Sequence, residues 1–137
     1  MDSLSKNFLG VDWGKSSVGL ALADGETQMA FGYGKLKNDR NLPGFLVEII
    51  KKESVGSVII GKPVYLEKSE TIQEGKKLGE FLKKETGVEI FYQDEMFTTK
   101  MAQANLIEKG TRNISNHDDR EAARIILQSW LDELVGS

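Results

Sequence analysis

Two apolar runs open the chain, Phe8 to Trp13 and Val18 to Ala23, separated only by Gly14, Lys15, Ser16 and Ser17. This pattern predicts two strands joined by a glycine-bounded turn, the second running back along the first. Met29 to Leu36 alternates more loosely, weakened by Gly32 and Gly34, and reads as a third, edge-like strand. Asn41 then stands as an N-cap with Pro43 in the first turn, and Leu42, Phe45, Leu46, Ile49 and Ile50 follow at helical spacing. Val58, Ile59, Ile60 and Gly61 form a short apolar run, the pattern of a parallel strand covered on both faces, and Pro63 ends it. Thr71 and Glu74 make a capping-box pair before a helix marked by Ile72, Leu78, Phe81 and Leu82, which Gly87 stops. Val88 to Tyr92 predicts another strand, running into Gln93, Asp94 and Glu95. Thr98 or Thr99 caps a helix carrying Met101, Ala102, Leu106 and Ile107 and stopped by Gly110. A last helix opens near His117, with Ala123, Ile126, Leu127, Trp130, Leu131 and Leu134 as its apolar face.

Three strands followed by strand–helix alternation imply an α/β fold: a mixed five-stranded sheet, three antiparallel strands and then parallel ones, with helices on both faces. That is the ribonuclease-H-like arrangement, although a flavodoxin-like fold gives the latter half equally well. No repeat or Pro/Gly-rich linker divides the 137 residues, so one domain over 1–137 is expected. The absence of cysteine excludes disulfide frameworks and thiolate-bound zinc or iron–sulfur centres. No secretory signal or membrane-length apolar run is visible, so no membrane partner is expected and a cytoplasmic location follows by default. The formal net charge of −3 argues against tight nonspecific binding to nucleic acid. It leaves room for a local basic face drawn from Lys15, Lys35, Lys37, Arg40, Lys100, Lys109, Arg112, Arg120 and Arg124.

Acidic residues recur at one kind of position. Asp12 closes the first strand, Asp94 and Glu95 close the last, and Asp118 and Asp119 open the final helix. In sheets containing parallel strands, functional groups gather just outside the strand ends. Carboxylates that converge there need a cation, and oxygen ligands suit Mg2+ or Mn2+. Two such ions about 3.5–4 Å apart would activate a water and steady a leaving oxygen, the chemistry of phosphodiester hydrolysis. Each acid also has a structural reading: Asp118 with Glu121 fits a capping pair, and Asp94 fits a turn cap. His117, the only histidine, suits a proton relay by its pKa of about 6.5 but more commonly stands solvated. Thr98 and Thr99 read as caps, and Trp13 as packing beneath the sheet rather than stacking on a base.

Gly10-Val11-Asp12-Trp13-Gly14 with Gly19-Leu20-Ala21-Leu22-Ala23-Asp24 resembles the first motif of the YqgF/RuvX family of Holliday-junction resolvases and pre-16S rRNA nucleases. Gly61-Lys62-Pro63, the Asp94-Glu95-Met96-Phe97-Thr98-Thr99 segment with Ala102, and Asp119-Arg120-Glu121-Ala122-Ala123 followed by Ile126-Leu127-Gln128 resemble its later motifs, in order and over nearly the whole chain. The resemblance implies a ribonuclease-H-like fold and an Mg2+- or Mn2+-dependent endonuclease acting on structured RNA such as pre-rRNA, or on branched DNA. It implies Asp12, Glu95 and Asp119 as catalytic metal ligands, with Asp94 as the substitute for Glu95, and Asp119 ahead of Asp118. The chain departs from the family twice: an arginine after the acidic pair is Met96 here, and a basic residue before the second strand is Ser17. Neither replacement grips a phosphate as an arginine does. Lys15 and Lys100 are the nearby cations, and with Arg120 they are the candidate nucleic-acid-binding residues. The losses raise a second reading, a catalytically weak nucleic-acid-binding module of the same fold. A nucleotide-binding relative of the sugar kinases ranks last, since those proteins need two lobes. Branched-DNA cleavage calls for a homodimer, whereas RNA trimming can be done by a monomer.

Overall fold

The computed structural model describes residues 6–14, 16–62, 70–94 and 119–136. The elements run β1 (Asn7–Trp13), β2 (Ser17–Ala23), β3 (Ala30–Lys37), α1 (Leu42–Lys52), β4 (Val55–Lys62), α2 (Glu70–Thr86), β5 (Glu89–Asp94) and α3 (Asp119–Gly136). They build a five-stranded sheet of order β3-β2-β1-β4-β5. β1 pairs antiparallel with β2 and β2 with β3, while β4 lies parallel to both β1 and β5. The mixed α/β sheet implied by the order of apolar runs is therefore the observed one.

Strand alternation sends successive side chains to opposite faces, and each face has its own cover. Leu9, Val11 and Trp13 join Val18, Leu20, Leu22, Val58 and Ile60 in one cluster with Leu42, Leu46 and Ile50 of α1 and Leu78 and Leu82 of α2. The opposite face carries Ala21, Ala23 and Ile59 against Ala123, Ile126, Leu127 and Leu131 of α3. Val58, Ile59 and Ile60 are all buried because β4 is covered on both sides, as its unbroken apolar run predicted. Trp130 of α3 sits between Phe8 and Phe91, with ring centroids 5.8 and 4.9 Å away.

Several boundaries differ from the expectation. Asn41 occupies the cap position of α1 but makes no side-chain cap bond. Asp39 instead closes the turn that leads into the helix: its carboxylate accepts the Asn41 N–H at 2.9 Å, and its carbonyl accepts the Leu42 N–H at 3.1 Å. Helix α2 already runs from Glu70, which puts Thr71 inside the first turn rather than at the cap. β4 starts at Val55, ahead of its apolar run, because it pairs with β1 from Asn7 onward. Phe45, Phe81 and Leu134 have helical spacing yet are 48%, 39% and 51% exposed, so they stand at the margins of the apolar faces. Gly87 closes α2 as expected, with φ of 79°. The helix from Thr98 or Thr99 to Gly110, the stop at Pro63 and the start at His117 lie outside the described residues. Among the described residues, no helix is long and apolar enough to cross a membrane.

Candidate active site at the carboxyl end of the central strands

Asp12 is half-buried near the end of β1, on the α3 side of the sheet, two residues beyond Gly10. The strand register puts it in one row: Lys35 opposite Gly19, Gly19 opposite Asp12, Asp12 opposite Gly61, and Gly61 opposite Gln93. The carboxylate is thus flanked by a glycine on each neighbouring strand, Gly19 of β2 and Gly61 of β4.

Helix α3 lies across this face in a direction fixed by three contacts. Trp130 packs on Phe8. A Cβ on Gly10 would stand 2.8 Å from the Leu127 Cβ and 3.1 Å from the Ala123 carbonyl oxygen. Going from Phe8 to Gly10, the contacting helix residue therefore moves from 130 back toward 123, and α3 runs antiparallel to β1. Four residues of helix from Ala123 to Asp119 rise about 6 Å. Two residues of strand from Gly10 to Asp12 cover about 6.7 Å. The backbone of Asp119, the first residue of α3, is consequently level with Asp12.

The turn after Asp12 is tight and braced. A Cβ on Gly14 would meet the Ser17 carbonyl oxygen at 2.6 Å, so only glycine fits. Asn38, just past β3, donates its side-chain amide to the Gly14 carbonyl and its backbone N–H to the Ser16 carbonyl at 3.0 Å. At Gly10 and Gly14 the chain itself makes the close approach, by α3 at one and by the turn at the other. On α3, Arg124 makes a two-pronged ion pair with Glu121, at 3.0 and 2.6 Å, which raises the guanidinium pKa. Gln128, one turn further, accepts the Ala30 N–H at 2.9 Å and donates to the Gln28 carbonyl at 3.2 Å. Those two bonds tie the helix to the start of β3.

Of the expected site residues, Asp12 is described in full, and Asp119 and Arg120 by their backbone in the first turn of α3. Asp94 ends β5, opposite Lys62. Glu95, Asp118, Lys15 and Lys100 lie outside the described residues, as does Met96. Among the described residues, no three His, Asp or Glu side chains form a group able to hold a metal. Trp13 is 9% exposed in the cluster under α1 and α2, as expected, and its indole nitrogen has no partner among the described residues. Asn38 and the Lys35–Gly19–Asp12 row escaped sequence reasoning, because no local pattern reveals which residue faces which across the sheet.

Known proteins resemble this chain in sequence and in fold. A family model described as "RuvX: Holliday junction resolvase" matches residues 6–133. A protein of Anaeromyxobacter sp. (strain Fw109-5) is 33% identical over 132 residues, covering 91% of this chain and 96% of its own, and is named "Putative pre-16S rRNA nuclease". An Agathobacter rectalis protein of the same name is 31% identical over 139 residues, covering 95% and 97%. Among solved structures, T. thermophilus RuvC in complex with a Holliday junction substrate superposes with a TM-score of 0.67 at 13% identity, over 96% of each chain. The Fowlpox virus resolvase bound to Holliday junction DNA gives 0.58 at 15%, over 94% of this chain and 99% of that one. At such identities the likeness is one of fold, and the fold is ribonuclease-H-like.

Proposed function

Because this chain belongs to the RuvX family of Holliday junction resolvases, we propose that it is a divalent-metal-dependent endonuclease that trims the 5′ region of pre-16S rRNA. One observation carries the reading: α3 runs antiparallel to β1, so the backbone of its first residue, Asp119, stands level with Asp12. Relatives more than 30% identical along nearly their whole length support rRNA over branched DNA as the substrate.

The metal ligands in this reading are Asp12, Glu95 and Asp119. Asp12 offers an all-oxygen donor from a rigid central strand, between Gly19 and Gly61, which suits a hard cation such as Mg2+ or Mn2+. Phe91 and Gln93 are odd positions of β5 in the rows of Ile59 and Gly61. Asp94 falls between those rows, and the family resemblance names Glu95 ahead of it as the companion of Asp12. The peptide dipole of α3 lowers the cost of collecting carboxylates at its first turn. A divalent ion bound there supplies an activated water and charge neutralisation at the scissile phosphate. Lys15, Lys100 and Arg120 hold the flanking phosphates in this reading, and Asn38 bonds the Gly14 and Ser16 carbonyls that follow Asp12.

Purified protein incubated with Mg2+ and a 5′-extended 16S precursor RNA tests the reading, with a four-way DNA junction in parallel. Cleavage of the RNA by the wild type is expected, together with its loss in Asp12→Asn at an unchanged thermal midpoint. Full-rate cleavage by Asp12→Asn rejects the role of Asp12, and faster cleavage of the junction reassigns the substrate. RNA binding without turnover by the wild type identifies the catalytically weak binding module instead.

A further inference from the structure

Ser17 opens β2 without a positive charge, but its cross-strand neighbour is Lys37, and the next pair on that face is Gly19 with Lys35. Paired residues point to the same face of a sheet, and residues two apart along a strand share it. Gly19 belongs to the series that continues through Ala21 and Ala23, both buried under α3. Lys35 and Lys37 therefore project on the α3 side, the side of Asp12. Lys35 is in the row of Asp12, two strands away, or about 10 Å at the usual strand spacing. Lys37 lies one step further out, past the end of β1, level with the turn that follows Asp12. Both are exposed, on an edge strand that pairs with no further strand.

We propose that Lys35 and Lys37 form a phosphate-binding rail on β3 that guides the substrate's phosphodiester backbone to the carboxylates, taking over the task for which Ser17 has no charge. The occupant is a nucleic-acid strand because the chemistry is complementary: two cations about 6.7 Å apart on one face beside an acidic centre, in a chain whose net charge is −3. The acidic balance of the whole molecule repels a polyanion, so binding must be concentrated where cations converge on the site. The rail is also held in place. Asn38, the residue after Lys37, ties this end of β3 to the Gly14 and Ser16 carbonyls, so the rail cannot drift from the Asp12 turn.

The inference rests on the nuclease reading, and its test is separable from that reading. Binding of the 5′-extended RNA is measured without divalent ion, as a function of salt, for the wild type, Lys35→Ala/Lys37→Ala and the charge-matched control Lys51→Ala/Lys52→Ala. The control residues are exposed in the last turn of α1, which covers the opposite face. Loss of two phosphate contacts to a single strand lowers the slope of log K against log salt by about 1.4. That drop is expected in the Lys35/Lys37 variant and not in the control, and Lys35→Arg/Lys37→Arg restores the slope. With Mg2+, the alanine pair raises KM and leaves kcat unchanged. An unchanged slope, an equal drop in the control, or no measurable binding by the wild type overturns the rail. If the wild type binds but never cleaves, the nuclease reading fails while the slope comparison still decides the rail.

Discussion

Gly10 and Leu127 are packed so closely that a single added carbon at Gly10 would fall 2.8 Å from the Leu127 Cβ, with the Ala123 carbonyl oxygen at 3.1 Å. Neither obstacle can swing aside, since one is a Cβ and the other is helix backbone. The contact sets how near α3 comes to β1, and with it the distance between the strand carrying Asp12 and the helix that starts at Asp119.

Gly10→Ala must therefore lift α3. Overpacking of this kind costs about 1–3 kcal/mol, a fall in thermal midpoint on the order of 5–10 °C. Gly61→Ala meets the Cδ1 of Ile126 at 2.6 Å, a terminal methyl that can rotate, so its loss is smaller. Calorimetry of the two variants gives the order, and cleavage assays should show Gly10→Ala losing more turnover. Equal midpoints would mean that the helix adjusts without cost.

Asn38→Ala removes the donor to the Gly14 carbonyl and leaves the backbone bond to Ser16. One part-buried hydrogen bond is worth about 1 kcal/mol, too little to unfold the protein at 25 °C. Activity should fall by about tenfold or more, because the loosened turn adjoins Asp12. Asn38→Asp, which keeps the shape but loses the donor, should behave like alanine. A cleavage rate that falls only in step with the folded fraction would show the brace to be structural alone.

Tyr33 donates its hydroxyl to the Glu53 carboxylate at 2.8 Å, tying edge strand β3 to the end of α1. The hydrogen bond, then burial and the nearby negative charge, push the Tyr33 pKa up from 10. The neutral phenol is thus favoured in the folded state, and its stabilisation is complete below pH 10 and lost as pH rises through the raised value. Thermal midpoints between pH 8 and pH 11 should fall less steeply for Tyr33→Phe than for the wild type. Parallel curves would show that the bond contributes nothing.

Much of the architecture was legible because it depends on local chemistry. The continuous apolar run Val58–Ile60 announced a strand covered on both faces, and Gly87 announced the end of α2, since each reports a constraint confined to neighbouring residues. The cap position of α1 was legible for the same reason, since Asn41 stands there, whereas its missing side-chain cap bond and the Asp39 turn before it were not. The family resemblance names Asp12 and Asp119 as candidates, whereas their common level follows only from how α3 packs on β1.

Among the described residues, the sequence by itself determined the strands and helices, their order, and the places of Asp12, Asp94 and Asp119 at their ends, because hydrophobic period, caps and glycines act over a few residues. Only the tertiary structure decided that Lys35, Gly19, Asp12, Gly61 and Gln93 share one row, and that α3 runs antiparallel to β1. Register depends on hydrogen-bond pairing between segments tens of residues apart, and helix direction on which side chains find room over glycine, and neither leaves a mark in any single stretch of the chain.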